Sequence, residues 1–317
     1  MSFSYLVVAK QPRLFHRLTG LTLTEFDRLR YSFELQYKEL IINPRLITPG
    51  RIRASGGGRP GAIPNLEDKL LFILFYTRIY PLLIIQGMFF GMAESKACKW
   101  VGLLLPVLDS TLNKEHFLPK RTRGRSLEEI IEEFPELVEL GILTDGTERP
   151  IRRPKNKDKQ KEVYSGKKKR HTKKHVTITH PKTQYILAVS DEYNGRSHDK
   201  SILDTEGLRC TTKIDIKADS GFMGYKCGRA TLILPHKKKR KPKGEPRGAL
   251  TDEQKIYNKN LASARVPIEH SNAGFKRNRS VTDTLRNTRD GIGDQLTLVA
   301  MGLHNLRVTM RASYHQA

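Results

Sequence analysis

Acidic residues are the scarce class in this 317-residue chain: 33 Asp and Glu stand against 57 Lys and Arg, a formal net charge of +24 at pH 7. A folded surface does not need such an excess, and self-repulsion among like charges destabilises the compact state. The imbalance points to a polyanionic partner, with nucleic acid ahead of an acidic membrane surface or plain solubility. Cysteine is scarce too. Cys98, Cys210 and Cys227 lie far apart and no Cys-x-x-Cys pair exists, which argues against a zinc knuckle or ribbon. Three such residues read as small buried side chains in a reducing compartment. A secretory signal is missing, because Tyr5-Leu-Val-Val-Ala9 is too short for an apolar signal core and runs into Lys10. The stretch from Leu70 to Met92 is very apolar but contains Arg78, Pro81 and Gln86. An arginine at the centre of a membrane span costs roughly 3 kcal/mol, so two short buried helices with a turn suit this stretch better.

What is present begins with helical patterning. Thr22-Leu-Thr-Glu25 has the form of a capping box, and Phe26, Leu29, Phe33 and Tyr37 follow on one helical stripe. This predicts a helix over 22–42. Gly56-Gly-Gly-Arg-Pro-Gly61 reads as a loop or linker. Asn65 then opens a helix through Leu70, Leu71, Leu74 and Ile79, and Pro81 opens a short second one with Leu82, Ile85 and Phe89. Gly91 supplies a turn. A third helix starts at Ala93 and continues to Leu105, where Pro106 ends or kinks it. Short helix, glycine turn, polar-then-apolar helix is the helix-turn-helix order, with a generic helical bundle as the alternative. Residues 127–134 read as an acidic connector helix.

From Leu137 the texture becomes β. Residues 140–145 form a strand ending at Asp145, and 175–179 and 184–190 form a hairpin around Pro181-Lys-Thr183. A helix follows from Asp199, then a strand over 213–219 ending at Asp219, then another over 230–234. Thr251-Asp-Glu-Gln254 caps a long helix through Arg277 with a bend at Pro267, and Leu296, Val299, Leu303 and Leu306 mark an amphipathic tail helix. The pattern predicts an α/β (α+β) core on a mixed sheet. The domain reading is an N-terminal helical segment at 1–55, a helix-turn-helix domain and connector at 56–135, and a catalytic domain at 136–317. Two basic runs interrupt the core: thirteen Lys or Arg against two acids between Arg149 and Lys174, and seven against one between Pro235 and Arg247. Lacking apolar periodicity, both are expected to be exposed and mobile without a ligand. Their place inside the core favours substrate contact over a passive tail.

Three carboxylates carry the chemistry: Asp145, Asp219 and Glu269. Acids at the ends of apolar strands are costly to hold unless hydrated, paired or metal-bound. The glycines beside the two aspartates let backbone and substrate come close. Two hard ions, Mg²⁺ or Mn²⁺, suit such oxygen ligands and would activate an attacking oxygen and stabilise a leaving one. An acid after a strand is, however, more often a turn former. Other acids and histidines have ordinary readings: Asp191 and Glu192 as turn residues, Glu148 as a fourth ligand or none, His198 as a DNA contact or helix cap, Asp199 as a cap. Ser220 lacks a nucleophile-elbow context, and His270 points away from Glu269 on a helix.

At these residues the chain resembles the DDE transposases of bacterial insertion sequences, in the branch related to the Harbinger-type elements. The matching words are Thr-Asp145-Gly-Thr-Glu148, Tyr164-Ser-Gly-Lys167-Lys168-Lys169 with His171-Thr-Lys-Lys174, Asn194-Gly-Arg-Ser-His198-Asp199, Ala218-Asp219-Ser-Gly-Phe-Met-Gly224 and Arg265-Val-Pro-Ile-Glu269. They come in the family's order and span most of 140–310. The resemblance implies an RNase H-like fold with Asp145, Asp219 and Glu269 as catalytic, metal-binding triad and two Mg²⁺ or Mn²⁺ ions. Arg265 and Lys276 stand at the family's intervals around Glu269, where they would hold phosphates. Ala262 stands where the family has Tyr, so one phosphate contact is lost. The 50 residues from Asp219 to Glu269 leave no room for the large β insertion of some relatives. The resemblance extends to the helix-turn-helix, whose helix from Glu94 would place Ser95, Lys96 and Lys99 in a major groove. Lys167, Lys168, Lys169 and His198 complete the expected DNA contacts. The implied activity is binding of terminal inverted repeats, cleavage at element ends and joining of the 3′-hydroxyl to target DNA, by a homodimer, in a cytoplasmic, nucleoid-associated setting. The alternatives are a transposase-derived DNA-binding protein without catalysis, and a nuclease without strand transfer.

Overall fold

The computed structural model describes residues 3–47, 62–238 and 248–314. The Gly56–Gly61 segment and 239–247 of the second basic run lie outside the described residues. The chain divides into two compact units, one of Met1–Leu118 with Phe275–Ala317, the other of Pro119–Gly274.

The first unit is helical. Its longer helices are α1 (Pro12–Thr19), α2 (Leu23–Tyr37), α3 (Leu66–Ile79), α4 (Leu83–Phe89), α5 (Glu94–Lys114) and the C-terminal helix Ile292–Tyr314. The capping box forms as the sequence predicts: Glu25 N–H donates to Thr22 Oγ1 at 3.2 Å, and Thr22 N–H donates to Glu25 Oε2 at 2.7 Å. Phe26, Leu29 and Phe33 then bury fully against Phe15, the apolar length of α3, and Leu296, Val299, Leu303 and Leu306 of the C-terminal helix. The apolar run at 70–92 is therefore core. Among the described residues, no helix is long and apolar enough to cross a membrane.

One helix departs from expectation. α5 does not stop near Leu105 but runs through Pro106 to Lys114. A proline inside a helix costs about 3 kcal/mol. The turns on either side bury Leu104, Leu105, Val107, Leu108 and Leu112, each worth about 2 kcal/mol, and that sum exceeds the cost.

The second unit is built on an eight-stranded mixed sheet. Its strands are β1 (Lys120–Arg121), β2 (Ile142–Pro150), β3 (Tyr164–Ser165), β4 (Arg170–Thr179), β5 (Ile186–Val189), β6 (Tyr193–Asn194), β7 (Asp215–Lys217) and β8 (Thr231–Ile233). The order is β1-β5-β4-β2-β7-β8, with β3 and β6 also on β4. β2, β4 and β5 pair antiparallel, whereas β2, β7 and β8 pair parallel. Helices α6 (Lys157–Val163), α7 (Asp199–Glu206) and α8 (Asp252–Phe275) complete the unit, and the connector predicted at 127–134 shortens to one turn, Glu128–Ile131. Ile142, Val176, Ile178, Ile202, Leu203, Ile216 and Phe222 share its core.

Two sequence expectations change here. β2 does not end at Asp145 but continues to Pro150, and β4 begins at Arg170 rather than His175. The first basic run is accordingly not all exposed: Arg149 and Lys174 are buried. The ladder Thr147↔His175, Glu148↔Lys174, Arg149↔Lys173 carries the strands through the charged segment. Lys174 tolerates burial because its ammonium has partners, donating to Ser197 O at 2.9 Å and lying 3.2 Å from Asp199 Oδ1 and 3.6 Å from Glu148 Oε1.

Candidate active site

Register brings the first two acids together. Leu143 of β2 pairs with Lys217 of the parallel β7. Asp145 and Asp219 each come two residues later, so they reach the same level and face of the sheet. Past β7 the chain tightens into a short 3₁₀ turn, Ser220–Phe222, which Asp219 caps by accepting from Gly221 N–H at 2.7 Å.

Helix α8 supplies the other side. Asn272 Nδ2 donates to Asp145 Oδ2 at 3.0 Å, and Arg265 Nη2 lies 3.9 Å from Asp145 Oδ1. Glu269 falls four residues after Arg265 and three before Asn272, the spacing that places all three on one helical stripe. Glu269 is exposed. The described start of the second basic run also reaches this region, with Lys237 Nζ donating to Ser220 O at 3.0 Å. His236 is tied to α8 through Asn258, by bonds of 2.7 and 3.0 Å.

A further acid joins the pair. Asp199, in the first turn of α7, sits against both glycines that follow the aspartates. A Cβ on Gly146 would overlap the Asp199 carboxylate, and one on Gly221 would stand 3.0 Å from Asp199 Oδ2 and 2.8 Å from Asp219 Oδ1. Only glycine allows this approach. Asp199 Oδ1 is buried and pairs with Lys174 out of hydrogen-bonding alignment.

The electrostatics follow from this crowding. Burial pushes the Asp145 carboxyl up to about 6; Arg265 opposes the rise, while Asp219 and Asp199 add to it. The donors are carboxylate oxygens, the set that hard divalent cations prefer, and the two glycines let them crowd together. The chemistry of this donor set suits such a metal. Among the described residues, however, no group of three or more His, Cys, Asp or Glu side chains is placed so that it could hold one. Arg265 and Asn272 lie on Asp145 instead.

The other sequence-selected residues lie elsewhere. Ser95, Lys96 and Lys99 are exposed in the first turns of α5. Lys167, Lys168 and Lys169 are exposed in the turn between β3 and β4, where Lys168 N–H donates to Ser165 Oγ at 3.2 Å. His198 occupies the cap position of α7 but its side chain makes no capping bond, so the capping alternative is not realised. Lys276 follows the end of α8, its ammonium 5.9 Å from the Phe275 ring centre. Glu148 is engaged by Thr172 at 2.8 Å and by Lys174. Asp191 pairs with Arg123 at 2.6 Å. Sequence reasoning missed the contributions of Asp199, Lys174 and Asn272. For Asn272 a signal existed, since it lies three residues after Glu269 on a predicted helix.

A family model described as DDE superfamily endonuclease matches residues 144–305, a span that opens one residue before Asp145. A protein of Microchaete diplosiphon described as a probable transposase for insertion sequence element IS702 is 30% identical over 257 residues, covering 80% of this chain and 86% of that protein. No solved structure matches the chain. With Asp145 on β2, Asp219 just past the adjacent β7 and the family match running through both, this chain belongs to the DDE superfamily endonucleases, among the DDE transposases of insertion sequences.

Proposed function

We propose that the protein binds the terminal inverted repeats of its element, cleaves DNA at the element ends and joins the freed 3′-hydroxyl to target DNA. The observation that carries this reading is the convergence on Asp145: Asp219 two residues past the paired end of β7, and Arg265 and Asn272 reaching Asp145 from the helical stripe that also bears Glu269. A central strand bearing the first acid, with antiparallel neighbours on one side and parallel ones on the other, supports an RNase H-like core.

Asp145, Asp219 and Glu269 would hold Mg²⁺ or Mn²⁺, with Asp199 the nearest additional carboxylate. Bound there, two such ions would raise the nucleophilicity of an attacking oxygen and stabilise the leaving one. The protein's own groups do the positioning. Asn272 fixes the orientation of Asp145 through its amide. Arg265 Nε is buried without a hydrogen-bond partner among the described residues, which leaves a charge-assisted donor for a phosphate oxygen. Lys174 holds Asp199 and Glu148 apart from that phosphate. Each chemical step exchanges one P–O bond for another: water attacks first and releases the 3′-hydroxyl, which then attacks target DNA.

The helical unit would supply sequence recognition, with α4, the Gly91 turn and α5 as helix-turn-helix and Ser95, Lys96 and Lys99 foremost. α4 has no Lys or Arg of its own, so the phosphate contacts of this element fall to α5. Lys167, Lys168, Lys169, His198 and Lys276 would add contacts. Pairing of two ends calls for a homodimer on DNA, and the setting is the nucleoid. The test is Mg²⁺-dependent cleavage of DNA carrying the element ends, comparing wild type with Glu269→Gln. Cleavage to 3′-hydroxyl products, lost in the variant, is the expected result; equal cleavage by both proteins overturns the triad.

A further inference from the structure

The connection between β2 and β4 carries an open groove of about 810 Å³. Arg153, Lys157, Lys161 and Arg196 line it together with Tyr164, His171 and Gly166. We propose that this groove takes an unpaired nucleotide of the DNA substrate, its base against Tyr164 and its phosphates on the surrounding cations. The inference rests on the DNA-cleaving reading above and adds a recognition element to it.

The chemistry of the walls separates a nucleotide from a bare phosphate. The lining is largely carbon although four cationic side chains contribute to it. A phosphate backbone alone needs only surface charge, whereas apolar surface beside cations suits a base with its phosphates. Tyr164 leaves 43% of its surface exposed although its neighbours Val163 and Ser165 are buried. Its ring is held by the β3–β4 ladder, where it pairs with His171, and the two rings meet edge-on at 5.6 Å and 70°. An aromatic face kept open beside cations is the stacking platform of single-strand binders. Lys161 pairs with Asp158 at 3.4 Å, and both side chains are exposed, so the pair is screened.

The groove is built before any ligand arrives. Asn156 Oδ1 caps α6 by accepting from Asp158 N–H and Lys159 N–H at 2.8 and 3.1 Å. Gln160 accepts from Arg153 Nε at 2.9 Å and donates to Pro154 O at 2.7 Å, and Arg196 N–H donates to Glu162 O at 3.3 Å. A volume of this size is that of a small-ligand cleft, here open to solvent along one side. Its place is informative too. From Asp145 to Pro150, β2 advances roughly 17 Å at about 3.3 Å per residue. At about 3.4 Å per step of duplex, an unpaired base here lies some five or more steps from the scissile bond.

The test is fluorescence anisotropy with the full-length protein and no cleavage step. Three probes are compared: a fully paired DNA duplex, the same duplex with a short unpaired segment, and the unpaired strand as RNA. The variants are Tyr164→Ala, Tyr164→Phe and Gly166→Leu. Gly166 has an ordinary backbone conformation and open space around an added Cβ, so leucine there fills the groove without straining the fold. The expected result is tighter binding of the partly unpaired DNA by wild type. That preference falls roughly tenfold in Tyr164→Ala and Gly166→Leu and is kept in Tyr164→Phe, with paired-duplex affinity unchanged. An unchanged preference, or an equal loss on paired and unpaired DNA, overturns the proposal. Equal Tyr164-dependent binding of RNA overturns its assignment to DNA. Because binding alone is read, an absence of cleavage elsewhere would leave this result standing, and loss of the groove would leave the triad untouched.

Discussion

Both units bury charge, but the helical unit scatters it, as Glu25, Asp68, Lys69 and Arg307 on three helices, whereas the sheet unit gathers buried polar groups on two facing strands. In the first, Phe15, Phe26, Phe33, Phe72 and a series of leucines are fully enclosed. In the second, the facing stretches of β2 and β4 enclose Thr147, Arg149, Thr172, Lys174, His175 and Thr177, and Asp145 sits among them with its carboxyl pushed up to about 6. A buried polar face is costly unless every group has a partner or a task. The contrast teaches that placement differs: each unit has its own apolar core, and the facing stretches of β2 and β4 add a concentrated polar face beside Asp145.

The contrast can be broken or sharpened by substitution. The largest stability effect is expected from Phe33→Ala, which opens a cavity in the helical core and costs about 3–5 kcal/mol in urea unfolding. Cleavage per folded molecule should be unaffected; a specific loss of cleavage would blur the division. Lys174→Ala follows at about 3 kcal/mol, because it leaves Glu148 and Asp199 buried without their cation. Here stability and cleavage should fall together, and an unchanged unfolding midpoint would show that the network is incidental.

Asp145→Asn should move stability the other way. The fold raises this group's pKa from 3.8 to about 6, so it favours the neutral form. The stability tied to that form is present below about pH 4 and is lost as pH rises through about 6. Removing the charge is therefore expected to stabilise the protein at pH 7, by no more than about 3 kcal/mol, while abolishing cleavage. A destabilised variant would contradict the description of Asp145 as a crowded, desolvated acid. The same titration predicts that cleavage by wild type rises as pH increases through about 6, since only the ionised carboxylate ligates a metal. The smallest stability effect belongs to Ser95, Lys96 and Lys99: replacing all three by alanine should change stability by under about 0.5 kcal/mol. It should still weaken DNA binding and lower the salt slope by about one per lysine.

Much of this was legible in the sequence where local rules suffice. The Thr22–Glu25 box, the stripe after it and the reciprocal Thr251–Gln254 bonds at the start of α8 appear where spacing puts them. The strand preceding Asp219 and the hairpin around Pro181 were readable from alternation and turn residues. Pro106 was misread because the cost of a proline is local and visible, while the burial that offsets it depends on partners far along the chain. Arg149 and Lys174 were misread for the same reason: a charge run looks solvated until cross-strand partners are known. The place of the C-terminal helix, whose leucines enter the helical core, depends on long-range packing that periodicity does not encode. At the site, Asp145, Asp219 and Glu269 stood out through the family's words. The crowding of Asp199 against Gly146 and Gly221 required the register of β2 on β7 and the entry angle of α7, and neither is written in spacing.

The account turns on whether Asp145, Asp219 and Glu269 serve one metal centre, and Mn²⁺ titration followed by calorimetry tests that without DNA. Wild type is expected to bind Mn²⁺ at pH 7.5, more weakly below pH 6, with binding lost or sharply weakened in each of Asp145→Asn, Asp219→Asn and Glu269→Gln. Unchanged Mn²⁺ affinity in the Glu269 variant, with the two aspartate variants defective, would remove the helical acid from the centre; unchanged affinity in all three would contradict the account.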